Sequence, residues 1–236
     1  MSATAILPTS FTSTAPDQSA QPRPPRFLTA GLAPQYVDYD SGLTLQGAAA
    51  ERIRSGTDRG TILILEHTPV YTAGKRSLPE EYPSDGTPVI PVDRGGKVTW
   101  HGPGQLVAYP VVRLKPQIGV VDLVRKLETM LIAVASEFGA SGFQVPGRSG
   151  VWADSHSGPP AKFAQIGLHA SNGIITHGIA LNCSNDLTPF ANFVPCGITD
   201  AGVTTLSALA GREITPSEVT PTLTAHLAAT IAEVAA

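Results

Sequence analysis

A chain of 236 residues, 42% of them hydrophobic, is long enough to bury one substantial core. Its net charge of -3 offers no broad attraction for a phosphate backbone, which argues against nucleic acid as a partner. It has no run of about 18 apolar residues and no basic-then-apolar leader, so no membrane partner is expected and the expected location is the cytoplasm.

Residues 1–26 are rich in Ser, Thr, Pro, Ala and Gln without apolar periodicity, so they cannot offset the entropy of ordering and read as a disordered tail. Residues 27–236 read as one catalytic domain. A helix is predicted over Leu43–Arg54, and Gly56 separates it from a buried strand at Thr61–Leu65. Short strands are predicted at Val89–Val92 and Leu106–Val112, bracketing a glycine-dense segment expected to be a shaped loop. From Val120 to Phe138 apolar residues recur at helical spacing, and Gly139 can end that helix.

Lys162–Ala170 and Ile174–Cys183 have strand character, and Ser171-Asn172-Gly173 between them tolerates positive φ, so a β-hairpin is predicted. A C-terminal helix ends near Val234. Thr215 and Glu218 have capping-box spacing, while Pro221 could instead mark its first turn. Strands and helices interleave without a regular βαβ beat or an internal repeat. The expected class is therefore α/β of the α+β type, a mixed sheet with flanking helices rather than a doubly wound parallel one.

Two cysteines make at most one disulfide, a poor framework for a chain of this size and more in keeping with a reducing compartment. Cys196 lies in Phe193-Val194-Pro195-Cys196-Gly197, where proline stiffens the approach and glycine removes bulk beside the sulfur. That suits a nucleophile, although the pentapeptide alone favours a packed cysteine. Cys183 shares a strand side with Ile175, Ile179 and Leu181 and reads as core. Lys162 is the less expected candidate, since lysine is ordinarily a solvated surface residue. Strand alternation puts it on the side of Ala164, Ile166, Leu168 and Ala170, where desolvation would favour the free amine and make it a proton acceptor. Arg94-Gly-Gly-Lys-Val-Thr-Trp-His-Gly-Pro-Gly-Gln105 leaves little bulk along its backbone, yet lacks the spacing of a phosphate loop or a dinucleotide fingerprint. No paired Cys or His spacing suggests zinc, so no metal or other cofactor is expected.

Taken in order, that glycine segment, Lys162-Phe-Ala-Gln-Ile-Gly167, His177-Gly-Ile-Ala-Leu-Asn182 and Pro195-Cys-Gly197 closely resemble the lipoyl(octanoyl) transferase family, the octanoyl-[acyl carrier protein]:protein N-octanoyltransferases. The segment Tyr71–Glu80 adds to the likeness, which runs from about Leu45 to Leu206. The resemblance implies a fold like the catalytic core of biotin and lipoate protein ligases, with Cys196 as acyl-thioester nucleophile and Lys162 as the group that lowers its pKa. Arg94, Gly95, Gly96, Lys97, Val98, Thr99, Trp100, His101, Gln165, Ile166, Gly167, Gly178, Ile179 and Ala180 would line the acyl pocket. Gln165 and Cys183 stand where smaller or purely apolar residues are more usual. The implied donor is octanoyl-acyl carrier protein. The implied acceptors are lipoyl domains of 2-oxoacid dehydrogenase E2 subunits and the glycine cleavage H protein, and the implied enzyme is a monomer. A lipoate or biotin ligase, a silent acyl- or lipoyl-domain-binding module and a Cys-His hydrolase using His101 or His177 are the alternatives.

Overall fold

The computed structural model describes residues 24–83, 85–155, 158–193 and 201–236. The first strand, β1 (Arg26–Gly31), is followed by helix α1 (Tyr39–Arg54). The Asp38 side chain accepts the Ser41 N–H at 2.8 Å and caps α1, so the helix begins at Tyr39 rather than at the expected Leu43. Next comes β2 (Gly60–Leu65), buried at every position, as its unbroken apolar run anticipated.

Three short strands form a separate sheet, with β3 (Val70–Ala73) between β4 (Val89–Pro91) and β5 (Val98–His101). β5 lies inside the glycine-dense segment expected to be loop throughout. Four non-glycine residues there meet β3 as a hydrogen-bonding partner, and that partner is invisible to local composition.

The main sheet is built from β1, β2, β6 (Gln105–Arg113), β7 (Phe143–Val145), β8 (Arg148–Ser155), β9 (Gly158–Ser171), β10 (Ile174–Asn182) and β11 (Gly202–Val203). Its order is β1-β2-β6-β10-β9-β8-β7, with β11 parallel to β9 and β1 parallel to β2. The other described pairings are antiparallel, so the sheet is mixed as expected. Asn172 (φ 50°) and Gly173 (φ 74°) form the two-residue turn of the β9–β10 hairpin, the mirror-image geometry that matches strand twist.

Two long helices, α2 (Val120–Glu137) and α4 (Pro216–Val234), cover one face of this sheet; the short α3 (Leu206–Ala210) precedes α4. Leu123, Leu127 and Leu131 of α2 meet Val219, Leu223 and Leu227 of α4 above Ile62, Ile64 and Ala108. Each fully buried side chain of this size stabilises by about 1.5–3 kcal/mol. Gly139 (φ 80°) ends α2 as expected. Thr215 Oγ1 accepts the Glu218 N–H at 3.3 Å, which settles the start of α4 and leaves Pro221 inside the helix. On the opposite face, Ala49, Ala50 and Ile53 of α1 pack on Val111 and Ile174.

Candidate active site

The β8–β9 register slips beside Lys162. Val151 pairs with Ala164, whereas the next residue, Trp152, pairs with Lys162, so Phe163 is an extra residue in β9. Such a bulge breaks the two-residue alternation. Phe163 and Ala164 both enter the core under α2, and Lys162 shares the other face with Trp152, its Nζ 5.0 Å from the indole centroid. Lys162 is therefore not on the face of Ala164, Ile166 and Leu168 that unbroken alternation would assign. It is nevertheless buried, at 5% exposure. Its stem runs close to Gly150, where an added Cβ would lie 2.4 Å from Lys162 Cε and 2.3 Å from the Ala164 carbonyl oxygen. Gly150 also has φ 102°, so backbone and space both require glycine there.

The glycine-rich segment is held against this sheet by Arg94. Its guanidinium donates to the carbonyl oxygens of Thr72, Gly95 and Lys97 at 2.7–2.9 Å and to Thr72 Oγ1 at 2.7 Å. Gly95 N–H reaches Leu168 O at 3.0 Å, tying the segment to β9. The Arg94 stem lies across Gly167, where a Cβ would come within 2.8 Å of Arg94 Cδ. Gly178 pairs with Gly167 across the hairpin and sits against the Ala108 carbonyl, 2.0 Å from where a Cβ would be. A paired glycine site thus lets a side chain and a loop lie directly on the sheet. Along β5, Thr99 and His101 face the pocket, whereas Val98 and Trp100 alternate into the small sheet's own core with Tyr71, Ala73 and Phe190.

Next to the glycine pair, Pro110 lacks an N–H for β10, and His177 opposite it takes φ 58°. The His177 N–H turns instead to Gln46 Oε1 of α1 at 2.6 Å. Its ring Nε2 lies 2.7 Å from Asp93 Oδ1, while His169 Nε2 is 3.2 Å from Asp93 Oδ2. Burial lowers the His177 pKa despite that carboxylate. Burial would raise the Asp93 carboxyl, but the hydrogen bond and charge of His177, with that of His169, bring it below its ordinary value.

Deeper in the pocket, His101 stacks on Tyr39 at 6.0 Å and its Nδ1 meets Gln105 Oε1 at 2.7 Å. His67 Nε2 is 2.8 Å from the Tyr109 hydroxyl. Burial depresses these imidazoles to about 3 for His101 and about 4 for His67, and raises Tyr39 to about 12. Near neutral pH these three rings are therefore uncharged.

These parts enclose a pocket of about 410 Å³. Of the residues the resemblance assigns to acyl binding, Arg94, Gly95, Gly96, Lys97, Thr99, His101, Gln165, Ile166, Gly167, Gly178, Ile179 and Ala180 line it, as does Lys162. Val98 and Trp100 do not, because strand alternation turns them away. Both polar atoms of Gln165 are buried and without a hydrogen-bond partner among the described residues. Cys196 lies outside the described residues; beyond it, Val203 of β11 pairs with Lys162.

Cys183 is fully buried beside Ile175, Ile179 and Leu181, and burial pushes its thiol well up, so it is packed rather than poised. Local reasoning missed the wall formed by Tyr39, Tyr109, Val124, Arg125 and Arg148. A tyrosine in an apolar strand, as at Tyr109, is a usable signal, because a buried hydroxyl needs a partner. The helix residues and Arg148 at the head of β8 carry no comparable mark. Among the described residues, no three His, Cys, Asp or Glu side chains converge as metal ligands.

Residues 38–228 match the lipoyl protein ligase A/B catalytic domain. A protein of Arthrobacter sp. (strain FB24) named octanoyltransferase is 50% identical over 194 residues, covering 82% of this chain and 87% of that one. One of the same name from Mycolicibacterium smegmatis is 52% identical over 185 residues, or 78% and 80% of the two chains. Among solved structures, a lipoate-protein ligase A bound with ATP superposes with TM-score 0.67 at 16% identity, covering 89% of this chain and 86% of the other. A lipoate protein ligase from Thermoplasma acidophilum also gives 0.67, at 14% identity and 89% and 84% coverage. At that identity the structures speak to the fold alone.

Proposed function

This chain belongs to the lipoyl protein ligase A/B catalytic-domain family, and from that footing we propose that it transfers an octanoyl group from octanoyl-acyl carrier protein to a lipoyl-domain lysine through a Cys196 thioester. It is an acyltransferase of protein lipoylation, as its octanoyltransferase relatives at about 50% identity indicate. The observation that carries the mechanistic reading is the burial of Lys162 in the wall of the pocket, at a bulge that turns it away from the helix-covered core.

In the proposed cycle Lys162 accepts the Cys196 thiol proton, and the thiolate attacks the donor's thioester carbonyl. The carbon–sulfur bond to the carrier breaks, and the carrier thiol leaves with the proton returned by Lys162. The acceptor lysine, as its free amine, then attacks the Cys196 thioester. Its surplus proton restores the Cys196 thiol as the amide forms. Acyl transfer from a thioester to an amine is downhill, so no nucleotide is consumed. Pre-aimed N–H donors at each tetrahedral oxyanion would contribute about 3 kcal/mol apiece. The lining residues from Arg94 to His101 and the glycine-paired hairpin hold the acyl chain, with the uncharged Tyr39–His101 end receiving its apolar part. The acceptors are lipoyl domains of 2-oxoacid dehydrogenase E2 subunits and the H protein; the enzyme works as a cytoplasmic monomer.

Intact mass after mixing with octanoyl-acyl carrier protein tests the thioester: an octanoyl adduct is expected on the parent and absent from Cys196→Ala. Single-turnover transfer then tests the base. Arginine keeps the charge but does not give up its proton, so both Lys162→Arg and Lys162→Ala should lose at least about 100-fold in rate. Near-normal transfer by Lys162→Arg would remove the base role.

A further inference from the structure

Glu128 occupies a core-facing position of α2, between the buried Leu127 and Leu131 turns, and its side chain is fully buried. A leucine there would extend the apolar stripe at no desolvation cost, whereas a carboxylate is tolerated only when paired and hydrogen-bonded. Both of its oxygens are engaged. Oε1 accepts the Gly150 N–H at 2.8 Å, and Oε2 accepts from Arg125 Nη1 at 2.6 Å. Gly150 is the residue against which the Lys162 stem lies, with no room for a Cβ between them. Burial raises the Glu128 pKa, and the Gly150 N–H and the charges of Arg125 and Lys162 act against that rise. The carboxylate and the amine therefore share a field as well as a wall.

We infer that Glu128 is a positioning residue for the transfer reaction: through Gly150 it fixes the wall that seats Lys162, and it sets a negative charge beside that amine. The inference rests on the Lys162 role proposed above. The other charged or titratable groups lining the pocket with Lys162 are Arg125 on the same helix as Glu128, Arg148 at the head of β8, and Arg76, Arg94, Lys97 and the Asp93-bound His177. β7 and β11 present none. His226 and Glu233 of α4 are engaged with Glu137 and Lys126 at the exposed side of the helix pair.

A carboxylate beside a basic group stabilises positive charge there, so removing the carboxylate should lower, and removing a cation that compensates it should raise, the pH at which transfer sets in. The test is the pH profile of single-turnover octanoyl transfer from octanoyl-acyl carrier protein to a lipoyl domain, using the full-length protein. In Glu128→Gln, whose amide oxygen can still accept from Gly150, the acid limb should move to lower pH by on the order of half a unit. In Arg125→Gln, which leaves the carboxylate less compensated, it should move to higher pH. A merely structural role would change the rate at every pH and the melting temperature while leaving the limb in place, and unshifted limbs in both variants would overturn the inference. If Glu128→Gln does not fold, the Arg125→Gln shift decides alone. Lys162→Ala separates the two levels: near-parent transfer there would fell the underlying reading, whereas lost transfer with unmoved limbs would fell only the role of Glu128.

Discussion

Alanine substitution at Gly147 and Gly150 should separate backbone strain from crowding within one segment. Both glycines have positive φ, 78° and 102°, but a Cβ at Gly147 meets nothing within 4 Å, whereas one at Gly150 meets Ala164 O at 2.3 Å and Lys162 Cε at 2.4 Å. Gly147→Ala should therefore show only the left-handed backbone cost of about 1 kcal/mol, a melting shift of about 2–4 °C at this chain size. Gly150→Ala adds overpacking of about 1–3 kcal/mol, because a strand carbonyl cannot move aside, giving a total near 3 kcal/mol and a shift of about 6–12 °C. It also pushes on the Lys162 stem, and a displacement of about 1 Å at a reacting group costs on the order of 100-fold in rate. Differential scanning fluorimetry and single-turnover transfer on the two variants are the assays. If Gly150→Ala melted like Gly147→Ala, or transferred octanoate at the parent rate, the close packing of glycine and lysine would be refuted.

Stability should fall in acid for an identifiable reason. His67 and His101 are held neutral by burial, with folded pKa values of about 4 and about 3 against an ordinary 6.5. A depressed histidine contributes its full stability above the unfolded value, and that contribution is lost as pH falls from about 6.5 through the folded values. At pH 4 the loss should be about 3 kcal/mol per histidine, read by denaturant titration at pH 7 and pH 4. An unchanged midpoint would show that these rings are hydrated. Cys183→Ala should lower stability by about 1–2 kcal/mol, through a small cavity in the main core, with turnover per folded molecule unchanged. Loss of the octanoyl adduct in that variant would exchange the roles of the two cysteines.

Local signals determined much of this protein. The α2 stripe, the Asn172-Gly173 turn and the unbroken run of β2 each follow from spacing or backbone preference within a few residues and stand where they were expected, and the Thr215 cap is one of the two starts that spacing allowed for α4. The motifs around Lys162, Gly167 and Gly178 likewise marked residues that gather around one pocket. Tertiary structure alone decided the rest. β5 exists because β3 offers it a ladder, and no count of glycines reveals a partner about 30 residues away. The face of Lys162 depends on the extra residue at Phe163, a register fixed by β8 on one side and β11 on the other; a strand buried on both faces carries no alternation from which to read it. Nothing in the α2 spacing singled out Glu128. Helical spacing alone sets Arg125 beside one of its oxygens, but only the fold brings the Gly150 N–H to the other and so makes a buried carboxylate tolerable.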